Sequence, residues 1–265
     1  MKNNYYRLIL NKLNIFSFLT YFKTKLINIV ELSLLKIEMI KTIDHIALIK
    51  KWEIPEVLKN ANTIILGSFN PYNPEKENTD YYYGRNSNFL WKTIASIIGK
   101  NEDFFQDNFD RKYEVMVDLK FGFMDIIDSI EISGNNSDEL DEYIRQNIFT
   151  NFLDQKIFTS KTKFNETVIR LKRNYNHRIN DVIKSNCVTK IIHTMGNSRI
   201  SLDLKTTPKE SNLGKNGFQY LINSISSHHI EFDFTSYSPS GYATRKGGNE
   251  YPKILKNWLT KNLSV

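Results

Sequence analysis

Ala61-Asn62-Thr63-Ile64-Ile65-Leu66 is a short apolar, β-branched run that stops at Gly67, long enough for a strand and too short for a helix. Its near-continuous apolarity, without polar alternation, fits a strand covered on both faces, as in a parallel sheet. Comparable runs occur at Phe121–Ile127, Gln155–Ser160, Val188–Thr194 and Phe232-Asp233-Phe234-Thr235. Between them the apolar spacing turns helical. Leu90, Ile94, Ile97 and Ile98 predict a helix over 88–98 ended by Gly99, and Phe164–Leu171 predicts another. Tyr251, Ile254, Leu255, Trp258 and Leu259 line a C-terminal helix. Strands alternating with helices predict an α/β fold: a three-layer α/β/α sandwich around a central, mainly parallel sheet of four to five strands. Residues 132–139 read as a polar surface loop. Ligands of such sheets sit beyond the carboxyl ends of the strands, which directs attention to the segments after Leu66, Ile126 and Thr235.

The expected domain covers residues 39–265, preceded by an extension over 1–38 of no assigned role. The longest apolar stretch of that extension, Leu13 to Phe22, is roughly half a membrane span, and no small-residue cleavage site follows it. Six of the chain's cations against two carboxylates lie in the extension, so the domain carries only +3 of the total +7. That balance is weak support for a polyanion partner, and any such argument must come from a site. The single cysteine, Cys187, excludes an internal disulfide and a thiolate-bound cluster, and fits a reducing, cytoplasmic setting. His228 and His229 are adjacent, so on a strand they face opposite sides and form no metal site. No metal and no cofactor is expected.

Three segments carry candidate chemistry. After the first strand comes Gly67-Ser68-Phe69-Asn70-Pro71-Tyr72, in which the Asn70 amide can orient a water and Pro71 stiffens the turn. Next is Tyr81-Tyr82-Tyr83-Gly84-Arg85-Asn86-Ser87-Asn88-Phe89-Leu90-Trp91. Three consecutive tyrosines are hard to bury as a set, because each hydroxyl wants a partner, and exposed aromatic faces suit stacking on an unpaired base. Asn88 also fits a helix cap, and Trp91 fits the core. The third is Ser236-Tyr237-Ser238-Pro239-Ser240-Gly241-Tyr242-Ala243-Thr244-Arg245-Lys246, a turn with hydroxyls, backbone N–H groups and two cations suited to a phosphate.

Taken together, and with the strand Phe121-Gly122-Phe123-Met124-Asp125-Ile126-Ile127, these segments resemble the uracil-DNA glycosylase superfamily from about Ile64 to Trp258. The tyrosine–asparagine–tryptophan stretch looks closest to its mismatch-specific and hypoxanthine-DNA branches. The resemblance implies hydrolysis of the N-glycosidic bond of a damaged, mismatched or modified base flipped out of DNA, by a monomer with no membrane association. It implies catalytic roles for Asn70, which places the attacking water, and Ser238. A base pocket of Phe69, Tyr72, Tyr82, Tyr83, Asn88 and Asp125 is implied, with Tyr72 excluding bases that bear a 5-methyl. DNA contacts fall to Ser68, Ser240, Gly241, Tyr242, Arg245 and Lys246, with Tyr242 as the wedge entering the duplex.

The chain departs from the family pattern at three places. One extra residue lies between Gly67 and Asn70; Ser238 stands where a histidine or asparagine is usual; and Asp125 is a carboxylate where uracil readers use an amide. A carboxylate accepts hydrogen bonds and pairs with an amino group such as cytosine N4. The competing expectation has Asp125 turned away, capping a neighbouring loop. Two other functions remain open: a glycosylase-like DNA-binding protein without catalysis, and an unrelated α/β enzyme that handles nucleotides or phosphorylated metabolites.

Overall fold

The computed structural model describes residues 38–70, 79–146, 160–185, 187–195, 225, 227–233 and 235–263. The chain divides into two compact units, Met1–Met39 and Ile40–Val265, and the fold belongs to the second. Its strands are β1 (Met39–Asp44), β2 (Thr63–Gly67), β3 (Phe121–Asp125), β4 (Ile127–Gly134), β5 (Ser160–Phe164), β6 (Thr167–Tyr175), β7 (Lys190–His193) and β8 (Glu231–Phe232). Its helices are α1 (Ile46–Lys50), α2 (Pro55–Asn60), α3 (Leu90–Ile97), α4 (Phe109–Asp118), α5 (Ser137–Arg145), α6 (Arg178–Ser185), α7 (Gly241–Lys246) and α8 (Tyr251–Asn262).

The parallel sheet runs in the order β3-β2-β7-β8. β2 is buried along its whole length, and full burial of each of Ile64, Ile65 and Leu66 contributes about 1.5–3 kcal/mol. Its registers place Gly67 beside Asp125 on β3 and Leu66 beside His193 on β7. The three carboxyl ends therefore finish nearly level. Phe121 and Phe123 face a cluster that includes Trp91 and Ile94 of α3 and Leu255 and Leu259 of α8. Gly122, pointing the other way, meets Leu58 of α2. Trp258 and Asn262 of α8 donate to the Asp233 carboxylate, at 3.1 and 3.2 Å, and so fasten the helix to the end of β8.

A second sheet, antiparallel and four-stranded, has the order β1-β4-β6-β5 and was not expected. The segment Phe164–Leu171, read as helix, is instead the close of β5, a turn at Asn165-Glu166 and the start of β6. The true period is two: Thr167, Ile169, Leu171, Arg173 and Tyr175 are buried, while the residues between them are exposed or half-buried. Phe164, Val168 and Leu171 mimic a helical stripe only because Val168 happens to be apolar on the outer face. The expected loop over 132–139 is likewise strand, then helix. Ile130 and Ile132 are fully buried on β4, and the Asn136 side chain caps α5 by accepting from Asp138 and Glu139. The expected strand Gln155–Ser160 lies outside the described residues except for Ser160, which opens β5. The last strand is shorter than expected, two residues.

The tyrosine run also departs from expectation: Tyr81 and Tyr82 are buried, at 1% and 3% exposed. Phe123 makes this possible. Its ring lies 5.7 Å from that of Tyr82 in a stacked arrangement, with Tyr81, Tyr83 and Trp91 all within 6.0 Å. Trp91 is core as expected, and its indole N–H donates to the Tyr82 carbonyl at 2.6 Å. Beside this layer Lys112 is 1% exposed, ion-paired with Asp80 and set over the Trp91 ring at 5.8 Å.

Two outcomes follow. Asp80→Ala leaves the Lys112 ammonium buried and unpaired, and should cost about 3 kcal/mol in urea unfolding; little change would show the pair to be dispensable. Burial holds the Tyr81 and Tyr82 hydroxyls above the usual tyrosine value of 10.0. As pH rises past 10 the unfolded chain then loses these protons first, so stability should fall with increasing pH and be flat with respect to these groups below it. Urea midpoints measured across that interval, for the wild type and Tyr81→Phe, check the slope.

Candidate active site

Beyond the level ends of β2, β3 and β7 lies a cavity of about 260 Å³. It is smaller than the roughly 300–1,000 Å³ usual for drug-sized ligands and fits one flat ring. Ten of the fourteen residues anticipated from the sequence line it: Ser68, Phe69, Asn70, Tyr82, Tyr83, Asn88, Asp125, Ser238, Ser240 and Gly241. Tyr242, Arg245 and Lys246 are exposed on α7 and do not line it, although the helix starts at its rim. Tyr72 lies outside the described residues.

Each loop is held by the backbone. The ladder between β2 and β3 continues past the strands, with Ile126 N–H donating to the Gly67 carbonyl and Ile127 N–H to that of Ser68, both at 3.0 Å. Ile46 N–H then donates to the Asn70 carbonyl at 2.8 Å. These bonds bring Asn70 to the cavity. Arg85 donates to the Asn70 side-chain oxygen at 3.3 Å, which orients the amide and leaves its NH2 and one lone pair for other partners.

The returning chain is tied to the same rim. Ser236 donates its hydroxyl to the His193 carbonyl at 2.7 Å, and Tyr251 donates to the Ser238 carbonyl at 2.9 Å. Asn88 and Ser240 form an antiparallel bridge, and Phe89 N–H donates to the Pro239 carbonyl at 2.8 Å. The loops approach so closely that a Cβ on Gly241 would stand 2.7 Å from the Ser87 carbonyl oxygen. Ser240 caps α7 by accepting from Ala243 N–H at 3.2 Å, and Ser238 donates to Ser240 at 3.2 Å. Asn88 accepts from Leu90 N–H at 2.9 Å and lines the cavity, but the cap position of α3 is taken by Phe89 and not, as expected, by Asn88.

The floor holds a residue that the sequence did not single out. His45, 2% exposed, contacts Asp125 Oδ2 through Nε2 at 2.5 Å, while its Nδ1 accepts from Ala47 N–H at 2.9 Å. A nitrogen that accepts carries no proton, so Nε2 bears it and donates to the carboxylate. Asp125 therefore faces the cavity and is not turned away to cap a loop, while its Oδ2 is engaged by His45. Its other oxygen lies over Gly67, where a Cβ would come within 2.0 Å of it and 2.6 Å of the Tyr83 hydroxyl. Only glycine leaves room there. Tyr83 itself has left-handed backbone, φ 56°, and its hydroxyl lies 2.7 Å from that of Thr194.

Behind the dyad a partly buried network braces the crossing from β3 to β4. Asn176 donates to the Asp125 carbonyl and to Glu53, both at 3.1 Å. Arg178 bridges Glu53 at 3.2 Å and Asp128 at 2.7 Å. Burial raises the Glu53 carboxyl above its ordinary value, against the opposing pull of Arg178. His45 was detectable only as a polar residue directly before the apolar turn Ile46-Ala47-Leu48, a cap position. Arg85 was in view inside the tyrosine motif without a role.

Tyr82 supplies one more observation. Its hydroxyl is fully buried and has no hydrogen-bond partner among the described residues. Such a group costs about 1–3 kcal/mol while unsatisfied. Among the described residues no group of three or more His, Cys, Asp or Glu could hold a metal ion, and no helix is long and apolar enough to cross a membrane. Comparison with family models, curated proteins and solved structures found no match.

Tyr82→Phe should therefore raise the unfolding free energy by about 1 kcal/mol in urea unfolding. A loss of stability on that substitution would show the hydroxyl to be satisfied already.

Proposed function

We propose that this chain is a DNA glycosylase of the uracil-DNA-glycosylase type, its parallel sheet the centre of a three-layer sandwich, which hydrolyses the N-glycosidic bond of a base turned out of the stack. One observation carries the proposal. The Asn70 amide and the Ser238–Gly241 turn, 168 residues apart in sequence at their nearest, border one ring-sized cavity at the carboxyl ends of parallel strands. That is where a sugar held between a positioned water and a phosphate grip must sit.

The chemistry follows from what these groups can do. Cleavage passes through an oxocarbenium-like sugar, as in other glycoside hydrolyses. Turning out the base costs a few kcal/mol, which wedging and phosphate contacts offset. Tyr242, 69% exposed one residue beyond the cavity rim, is the side chain placed for wedging. The hydroxyl of Ser240, with Arg245 on the short helix that it caps, supplies donors for the flanking phosphate, while Ser238 spends its own proton on Ser240. Asn70 cannot take a proton from water. It fixes the water's direction, with its own amide oriented by Arg85, and the water adds once the sugar cation has formed.

Removing that amide should lower the rate of base release by roughly 10²–10³-fold, the size of effect found when one positioned hydrogen-bonding group is removed from an active site. The test is a panel of oligonucleotides carrying different damaged or modified bases, scored for alkali-labile sites with wild type and Asn70→Ala. No release from any substrate, alongside retained DNA binding, would replace the enzyme by a non-catalytic binding protein.

A further inference from the structure

We infer that the base taken by this cleft carries an exocyclic amino group and departs as a neutral molecule, an aminopyrimidine of the cytosine type and not uracil; the inference rests on the glycosylase reading of the site. Asp125 is the ground for it. His45 donates to Oδ2 from Nε2, and this direction is forced, because Nδ1 is occupied in accepting from Ala47. The carboxylate therefore meets a ligand as an acceptor and offers it no proton. His45 in turn is fixed by α1, which it caps through Nδ1, and by its backbone N–H, which donates to the Asp128 carbonyl at 2.9 Å. The imidazole cannot swing away to let Asp125 reverse its role.

An acceptor-only floor separates bases by how they leave. Uracil departs with the electron pair of the glycosidic bond as an anion, and its carbonyl oxygens gain negative charge as the bond lengthens. Set against a carboxylate in a largely buried site, that charge is repelled, whereas an amide in the same place donates to it. A cytosine-type base has another route. Its ring nitrogen beside the amino group takes a proton from solvent, and the resulting N–H and the amino N–H both point at an acceptor. The glycosidic electron pair passes to the ring nitrogen that held the sugar, and the base leaves neutral. The water oriented by Asn70 then adds to the sugar cation and releases its proton to solvent, so the net reaction consumes one water.

Within this scheme His45 is a positioning residue, since it touches the carboxylate and acts on the base through it. Gly67 serves the same end by clearing the space over which Asp125 Oδ1 lies.

The experiment compares oligonucleotides identical except for the target nucleotide, carrying cytosine, a 5-substituted cytosine or uracil. Base release is read from alkali-labile sites. Binding is read separately by fluorescence anisotropy on the same sequences with a 2′-fluoroarabino sugar, which resists cleavage. Wild type should prefer a cytosine-type target over uracil by tenfold or more. Asp125→Asn, which preserves shape, should reverse that order, and His45→Gln should reduce it several-fold. A wild type that prefers uracil, or an Asp125→Asn variant with an unchanged ratio, would overturn the inference. The two measurements also separate the claims. Expected binding ratios without any cleavage would sink the glycosylase reading and leave recognition standing, whereas cleavage with uracil preferred would do the reverse.

Discussion

The level finish of β2, β3 and β7 is the constraint on which the rest of the molecule depends. Parallel pairing fixes the relative height of neighbouring strands through slanted hydrogen bonds, and here it sets Gly67 beside Asp125 and Leu66 beside His193. Several of the cavity's groups then fall within three residues of that line. Asn70 lies three residues beyond Gly67, Thr194 directly follows His193, and Ser236 is tied back to the His193 carbonyl. A slip of one residue in β3 would turn Asp125 to the other face of the sheet and bring Met124 or Ile126 to the cavity floor. Specificity of register is secured by the same burial that stabilises the sheet, since β2 has no polar face to expose.

Beneath the cavity, the aromatic layer around Phe123 sets the cavity floor without filling it. Tyr82 lies between the two roles: its ring stacks on Phe123 and its hydroxyl is buried with no partner among the described residues. A core chosen for stability alone would place phenylalanine there. The left-handed backbone of the adjacent Tyr83 and the close approach at Gly67 are further departures from an unstrained core, and they fall at the same place. Close by stand the Lys112–Asp80 pair and the Glu53–Asn176–Arg178–Asp128 network, which fix the neighbouring loops.

The parallel sheet and its helices were legible because Ile64-Ile65-Leu66 and the α3 and α8 stripes give unambiguous periods. The antiparallel sheet was not. On β6 an apolar Val168 on the outer face blurred the alternation into a helical stripe, and β4 ran into residues whose Ser, Gly and Asn content reads as loop. The cavity lining within the three motifs was legible because the clefts of such sheets open at the carboxyl ends of their strands. His45 was not, because nothing local distinguishes a capping histidine from one that also reaches a carboxylate 80 residues away. The burial of Tyr81 and Tyr82 escaped for a similar reason: it depends on Phe123, on a distant strand, to supply the packing surface.

Loops at the working end of an α/β sheet ordinarily absorb insertions and deletions freely, and so drift in length. The bridge between Asn88 and Ser240, with Gly241 pressed against the Ser87 carbonyl, removes that freedom here. Neither segment can gain or lose a residue near the crossing without shifting the start of α3 or of α7, so their lengths are coupled across 152 positions of chain. Variation in size among descendants of this sequence is thereby steered to the turns at the opposite, amino-terminal end of the strands, such as that between α4 and β3.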